Sequence, residues 1–261
     1  MSAKESPGVA LVTGASHRIG RHIALDLAAH GWGVGVHYKS SKSAAQAVVA
    51  AIEKRGGTAV ALHGDLDKEP DVRALMPQLV QTLGPVGCVV NNASTFEPDS
   101  LQSLGDPAGG MVGYHQQLQV NLTAPLMLTQ ALVDQLPTGA RGNVINILDQ
   151  KVWRLTPYYM SYTLAKSALW TATRTLAQAL APNVRVNAIG PGPTLPNKRQ
   201  SQAEFEDQCA KLPLGQCGTP DEIARTVRFL IDMPCMTGQM IALDGGRHLA
   251  WNTPDVTNKH D

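Results

Sequence analysis

The feature that most limits what this chain can become is an alternation. In the first hundred residues, short apolar runs of strand length lead into longer stretches with helical spacing. The runs are 8–13, 33–37, 58–63 and 86–90, and the stretches between them cover roughly 18–30, 43–55 and 70–83. Glycine or a polar residue marks the breaks: Gly31, Gly56-Gly57, Gly64-Asp65. The runs are apolar throughout, without the every-other-residue polarity of a strand that is wet on one face. Short links between strand and helix allow only parallel neighbours joined by crossovers. The expectation is an α/β chain, a parallel sheet with helices on both faces.

The later chain continues the pattern. Residues 143–148, 184–189 and about 240–243 read as further buried strands, and 114–136, 160–180 and 220–231 as helices. Pro125 is expected to bend the first of these helices. Residues 97–113 are rich in Gly, Pro and Asp and read as loop, and residues 1–7 as loose. The stretch 190–218 is too long for a simple link and suits a lid over a substrate. With 261 residues, 43% of them apolar, one domain over 1–261 is expected, its core at about 8–246.

A formal charge of +1 offers no footprint for nucleic acid or an anionic membrane. No apolar run is long enough to cross a bilayer and no leader-like start is visible, so a cytoplasmic protein is expected. Cys88, Cys209, Cys217 and Cys235 are scattered without paired spacing, so neither a metal site nor a disulfide is expected. The eight histidines show no metal-ligand spacing, and no Gly-x-Ser-x-Gly is present for Ser-His-Asp chemistry.

Two clusters carry chemistry. The first run ends in Thr13-Gly14-x-x-x-Arg18-Ile19-Gly20, a turn that brings backbone N–H groups and a helix N-terminus toward a pyrophosphate. A site for the unphosphorylated dinucleotide places an acid about 20 residues on. None stands between Asp26 and Glu53, and the second strand instead ends His37-Tyr38-Lys39-Ser40. Cations and hydroxyls there suit a 2′-phosphate, so NADP(H) is the expected cofactor, with Arg18, His37, Lys39 and Ser40 on the phosphate. Asp65 is expected near the adenine.

The second cluster runs from Asp149, at a strand end, to Tyr162 and Lys166, one helical turn apart on one face. An ammonium one turn away is expected to lower the phenol's pKa and so make a proton donor. Tyr-x-x-x-Lys is a weak signal alone and gains force beside a dinucleotide turn.

Thr13-Gly14 with Gly20, Asn91-Asn92-Ala93, Asn121, Tyr162-x-x-x-Lys166 and Pro191-Gly192 occur in one order over about 8–246. In this the chain resembles the short-chain dehydrogenase/reductases. The resemblance implies a Rossmann-type doubly wound sheet of about seven parallel strands with helices on both faces, an oxidoreductase on a small-molecule substrate, and a homo-oligomer, a tetramer ahead of a dimer. It implies Tyr162 as acid, Lys166 as ribose anchor, Asn121 as holder of a relay water and Asn91 as a support for the cofactor. Leu66, Ala93, Ser94, Pro191 and Gly192 would also line the nucleotide. The family's usual serine, thirteen residues before the tyrosine, is Asp149 here, and its middle glycine is Arg18. Both departures, with Ser94, Phe96 and Asp244-Gly-Gly, resemble the pteridine reductase and dihydromonapterin reductase branch. Serine donates a hydrogen bond, whereas an ionised carboxylate only accepts, which suits ring N–H groups. Phe96 is expected to stack on a flat heterocycle and Ser94 to meet its edge. The leading expectation is NADPH-dependent reduction of a pterin-like C=N bond. A carbonyl, quinone or 3-oxoacyl reductase and a non-catalytic NADP(H) sensor stand as alternatives.

Overall fold

The computed structural model of the chain describes residues 8–104, 106, 110–196 and 199–249. Seven parallel strands lie in the order β3-β2-β1-β4-β5-β6-β7: β1 Val9–Val12, β2 Gly33–Tyr38, β3 Ala59–His63, β4 Val86–Asn91, β5 Gly142–Ile147, β6 Val184–Pro191 and β7 Met240–Leu243. The chain winds outward from β1 to β3, then crosses to β4 and winds the other way. Links leave β1 and β4 in opposite directions, which opens a crevice beyond their carboxyl ends.

Strand polarity explains why the runs read as continuously apolar. Ala10 and Val12 of β1 face a core layer with Ile23 and Leu27 of α1 (Arg18–Ala29), Val48 and Ile52 of α2 (Lys42–Glu53), and Val227 and Leu230 of α9 (Pro220–Asp232). Val9 and Leu11 face the other layer, with Leu75 and Leu79 of α3 (Glu69–Leu83) and Leu128 and Leu132 of α6 (Ala124–Gln135). Each fully buried leucine or isoleucine contributes about 1.5–3 kcal/mol of transfer free energy.

The strands fall within two residues of the expected bounds; the readings of 114–136 and 97–113 need correction. The single helix expected over 114–136 is α5 (Gly110–Leu118), a π-helical turn (Gln119–Thr123) and α6. Pro125 follows the π-helical turn after Ala124, and the backbone stays helical through Thr123 (φ −64°, ψ −47°) and Ala124 (φ −60°, ψ −46°). The expected loop 97–113 contains the short α4 (Leu101–Leu104) and the start of α5, around 105 and 107–109, which lie outside the described residues, as do residues 1–7. Within 190–218 stands α8 (Gln202–Ala210), opened by a reciprocal Ser201–Glu204 cap.

Against expectation, Cys209 and Cys217 form a disulfide. Cys209 is in the last turn of α8, and Cys217 stands after a reversal at Gly215, where φ is +65°. The Leu214 N–H donates to Gly245 O at 3.1 Å, pinning that reversal. A spacing of eight residues carries no such signal; the tertiary turn makes the pair.

Candidate active site

At the nucleotide end, side chains brace the turn and leave backbone groups for a ligand. The Asn92 amide donates to Thr13 O at 2.8 Å, and Thr13 Oγ1 accepts from the N–H groups of Asn92 and Ala93, both at 2.9 Å. Gly14 has φ +62°, and a Cβ on Gly20 would lie 2.3 Å from Gly14 O, so α1 approaches the strand only without a side chain there. His17, before α1, makes no side-chain cap, and the first turn holds no acid. The orphan N–H groups and positive dipole end are left unspent, as an anion site needs. A cavity of about 390 Å³ lies there, bordered by Gly14, Arg18, Ile19 and Gly20, by Tyr38, Lys39 and Ser40, and by Asp65, Leu66, Ala93 and Ser94.

His37 does not act as expected. It is buried; Nδ1 accepts from the Gly14 N–H at 3.0 Å and Nε2–H donates to Gly64 O at 3.0 Å. Burial pushes its pKa down to about 4, so it is neutral and supplies no charge to a phosphate. Lys39 remains exposed at the mouth, 2.9 Å from Asp65. Arg18, at φ +50°, sends Nη1 to Pro196 O (2.9 Å) and Nη2 to Leu195 O (3.2 Å), toward the lid. Asn91 is buried and donates to Asn146 Oδ1 at 2.8 Å, tying β4 to β5; it does not border the cavity. Pro191 ends β6, and the Gly192 N–H donates to Leu243 O at 3.0 Å.

At the other end, Tyr162 and Lys166 lie buried on α7 (Met160–Ala179), and Asp149 follows β5. The Tyr162 hydroxyl donates to Asp149 Oδ2 at 3.1 Å. The other carboxylate oxygen accepts from the Lys151 N–H at 2.8 Å, and Lys151 Nζ stands 3.4 Å from Oδ2. Burial, then the Asp149 charge, pushes the phenol well above its ordinary value, the reverse of the lowering expected. The physical reason is visible: Lys166 Nζ is spent on Ile147 O at 2.8 Å and lies 5.7 Å from the phenol ring centroid. Burial also brings the Lys166 ammonium down to about 8, against the opposing pull of Asp149.

Asn121 lies in the π-helical turn and anchors the segment after β4. Its Nδ2 donates to Thr95 O at 3.0 Å, and its Oδ1 accepts from Ser94 Oγ at 2.6 Å. One such wide turn inside a helix frequently marks a functional position. Phe96 already has an aromatic partner: its ring lies flat on Tyr159 (4.2 Å, 7°) and edge-on to Tyr162 (4.8 Å, 75°). Asp99 holds that arrangement by accepting from the Ser161 N–H at 3.1 Å. A cavity of about 900 Å³ opens here, bordered by Phe96, Asp149, Tyr162 and Gly192 and meeting the nucleotide cavity at Arg18 and Ile19. A third cavity, about 660 Å³ around Trp32 and Gly57, borders none of the candidate site residues.

Four neighbours escaped sequence reading: Gln150, Lys151, Tyr159 and Arg247. Gln150 and Lys151 directly follow Asp149, so adjacency was a usable signal. Tyr159 sits at φ +60°, unforeseeable for a bulky residue. Arg247 arrives from beyond β7, with no local cue. No metal cluster occurs among the described residues.

The family profile described as enoyl-(acyl carrier protein) reductase matches residues 14–248. The chain belongs to the short-chain dehydrogenase/reductase family. It is an oxidoreductase of that family. A crystal structure of FolM alternative dihydrofolate reductase 1 from Brucella canis, complexed with NADP, is 46% identical with a TM-score of 0.91, covering 97% of this chain and 98% of that one. An uncharacterized oxidoreductase from Methylorubrum extorquens is 36% identical over 91% of this chain and 96% of its own length. A 3-oxoacyl-[acyl-carrier-protein] reductase from Synechocystis is 33% identical over 91% and 96%.

Proposed function

We propose that this oxidoreductase uses NADPH to reduce a C=N bond of a pterin-like heterocycle, with Tyr162 as proton donor. The observation that carries the reading is the 3.1 Å hydrogen bond from the Tyr162 hydroxyl to Asp149, a carboxylate where the family places a hydroxyl.

The chain's groups fit the cofactor. The uncapped start of α1 would receive the pyrophosphate, Lys39 and Ser40 the 2′-phosphate, Asp65 and Leu66 the adenine, and Ala93 and Lys166 the ribose. Pro191 and Gly192 would stand toward the nicotinamide. When bound, NADPH supplies a hydride to carbon. The residues must then bring one proton to nitrogen. Tyr162, its pKa pushed up by burial and then by Asp149, is protonated at neutral pH and has a proton to give, while the raised pKa itself makes it a weaker acid than a free phenol. Asp149 accepts from that phenol and from a ring N–H, which orients the heterocycle and keeps the donor aimed. Lys151 offsets the carboxylate charge. The FolM proteins, at 46% identity and with dihydrofolate reductase in their name, support this reading.

A second reading, reduction of a 3-oxoacyl thioester, is favoured by the Synechocystis relative at 33% identity. NADPH oxidation followed against dihydropterins, acetoacetyl-CoA, quinones and activated ketones separates the two. Dihydropterins are expected to be turned over with the highest kcat/KM; acetoacetyl-CoA ranking first would replace the proposal. NADPH is expected to bind over a hundredfold tighter than NADH, from about two charge-assisted hydrogen bonds to the 2′-phosphate. Met111 and Val112 on α5 and Leu164 on α7 are exposed, and we place them against other copies in a homotetramer.

A further inference from the structure

The substrate cavity has a charge imbalance that the proton chemistry does not use. Among the described residues it is bordered by Arg18, Lys151, Arg154 and Arg247 and by one carboxylate, Asp149. Arg18 is committed to the Leu195 and Pro196 carbonyls, and Lys151 to Asp149. Arg154 donates from Nη1 to Arg247 O at 2.8 Å, which docks the segment after β5 onto the turn after β7. Neither Arg154 nor Arg247 has an ion-pair partner among the described residues, and the Arg247 guanidinium has no hydrogen-bond acceptor among them. The nearest acid in sequence, Asp244, is already spent: it accepts from the N–H groups of Gly246 (3.0 Å) and His248 (2.7 Å) and from His248 Nδ1 (2.8 Å). Arg247 is nonetheless only partly exposed. Burial weighs against the Arg247 cation, Asp149 favours it, Arg154 opposes it and Asp244 favours it, with no ion pair to either acid among the described residues, so an anion supplied by a ligand would add a direct partner. A planar guanidinium matches a carboxylate in two parallel hydrogen bonds.

We infer that Arg154 and Arg247 form an anion subsite at the outer end of the substrate cavity, selecting a pterin-like substrate whose side chain ends in a carboxylate over one with a neutral side chain. The inference rests on the pterin-type reading of the same cavity and deepens it.

The test compares dihydrofolate, whose side chain carries carboxylates, with dihydrobiopterin, whose side chain is neutral, in wild type, Arg247→Met, Arg154→Met and Arg247→Lys. Wild type is expected to prefer dihydrofolate. Arg247→Met is expected to cut the ratio of kcat/KM values, dihydrofolate over dihydrobiopterin, by about 10-fold or more, acting through KM. Arg154→Met should lower the same ratio less, Arg247→Lys should restore part of it, and raising ionic strength should erode it in wild type. If wild type reduces both without preference, or Arg247→Met and Arg154→Met lower both substrates equally, the subsite is wrong while the pterin reading stands. If Arg247→Met does not fold, Arg154→Met and the salt dependence decide alone. If wild type reduces neither pterin, both fall. If acetoacetyl-CoA is the substrate turned over and the one sensitive to Arg247→Met, the anion is a carrier phosphate and the carboxylate assignment is overturned.

Discussion

The two ends of the cleft use polar side chains in opposite ways. At the nucleotide end Thr13, His37 and Asn92 are all turned inward onto backbone groups, so the turn itself offers main-chain N–H, with Lys39 and Ser40 farther out at the mouth. At the substrate end Asp149, Lys151 and Tyr162 bond to one another and border the cavity themselves. A ligand shared by many enzymes can be met by backbone, which any sequence supplies once the turn is braced. A particular substrate needs particular functional groups. Substitutions at the first end should therefore be felt as stability and cofactor affinity, and at the second as turnover and substrate choice.

The strongest way to break this division is Tyr162→Phe. Turnover is expected to fall by about 10²–10⁴-fold, with NADPH affinity within a few-fold of wild type, checked by steady-state rates and fluorescence titration. A variant retaining more than a few percent of turnover would remove Tyr162 from its role as the acid.

A smaller effect sharpens the other half. His37 is held neutral with a pKa of about 4, against 6.5 for an unperturbed histidine. The unfolded chain therefore binds the extra proton first, and the contribution is complete above about pH 6.5 and lost as pH falls toward 4. Its size is about 3 kcal/mol. Wild-type Tm should fall over that window more steeply than that of His37→Gln, which cannot take up the charge. Parallel pH profiles of Tm in the two proteins would show that His37 is not the neutral brace described.

The nucleotide end was the more legible of the two, in position if not in every role. The Gly14–Gly20 turn and the lack of an acid after β2 are local patterns, and the strands follow from apolar runs with two buried faces. His37 was misread because sequence shows the residue type and not the Gly14 and Gly64 groups that consume it. The phenol's pKa was misread for a related reason: spacing places Lys166 one turn from Tyr162, but Ile147 O captures the ammonium, and burial, then Asp149, pushes the phenol up. The Cys209–Cys217 bridge and Arg247 depend on how distant segments return to the lid and the cavity rim, which no local pattern encodes. The π-helical turn at Asn121 lies one step beyond what a proline in the sequence could announce.

The central claim is that a carboxylate beside the proton donor adapts this site to ring nitrogen. The most direct measurement is kcat/KM for a dihydropterin and for an activated ketone in wild type and Asp149→Ser. Serine restores the family's hydroxyl, so dihydropterin reduction should drop about tenfold or more, the loss of a charge-assisted hydrogen bond, while ketone reduction is maintained or rises. An equal loss on both substrates, or a gain on the dihydropterin, would contradict the account.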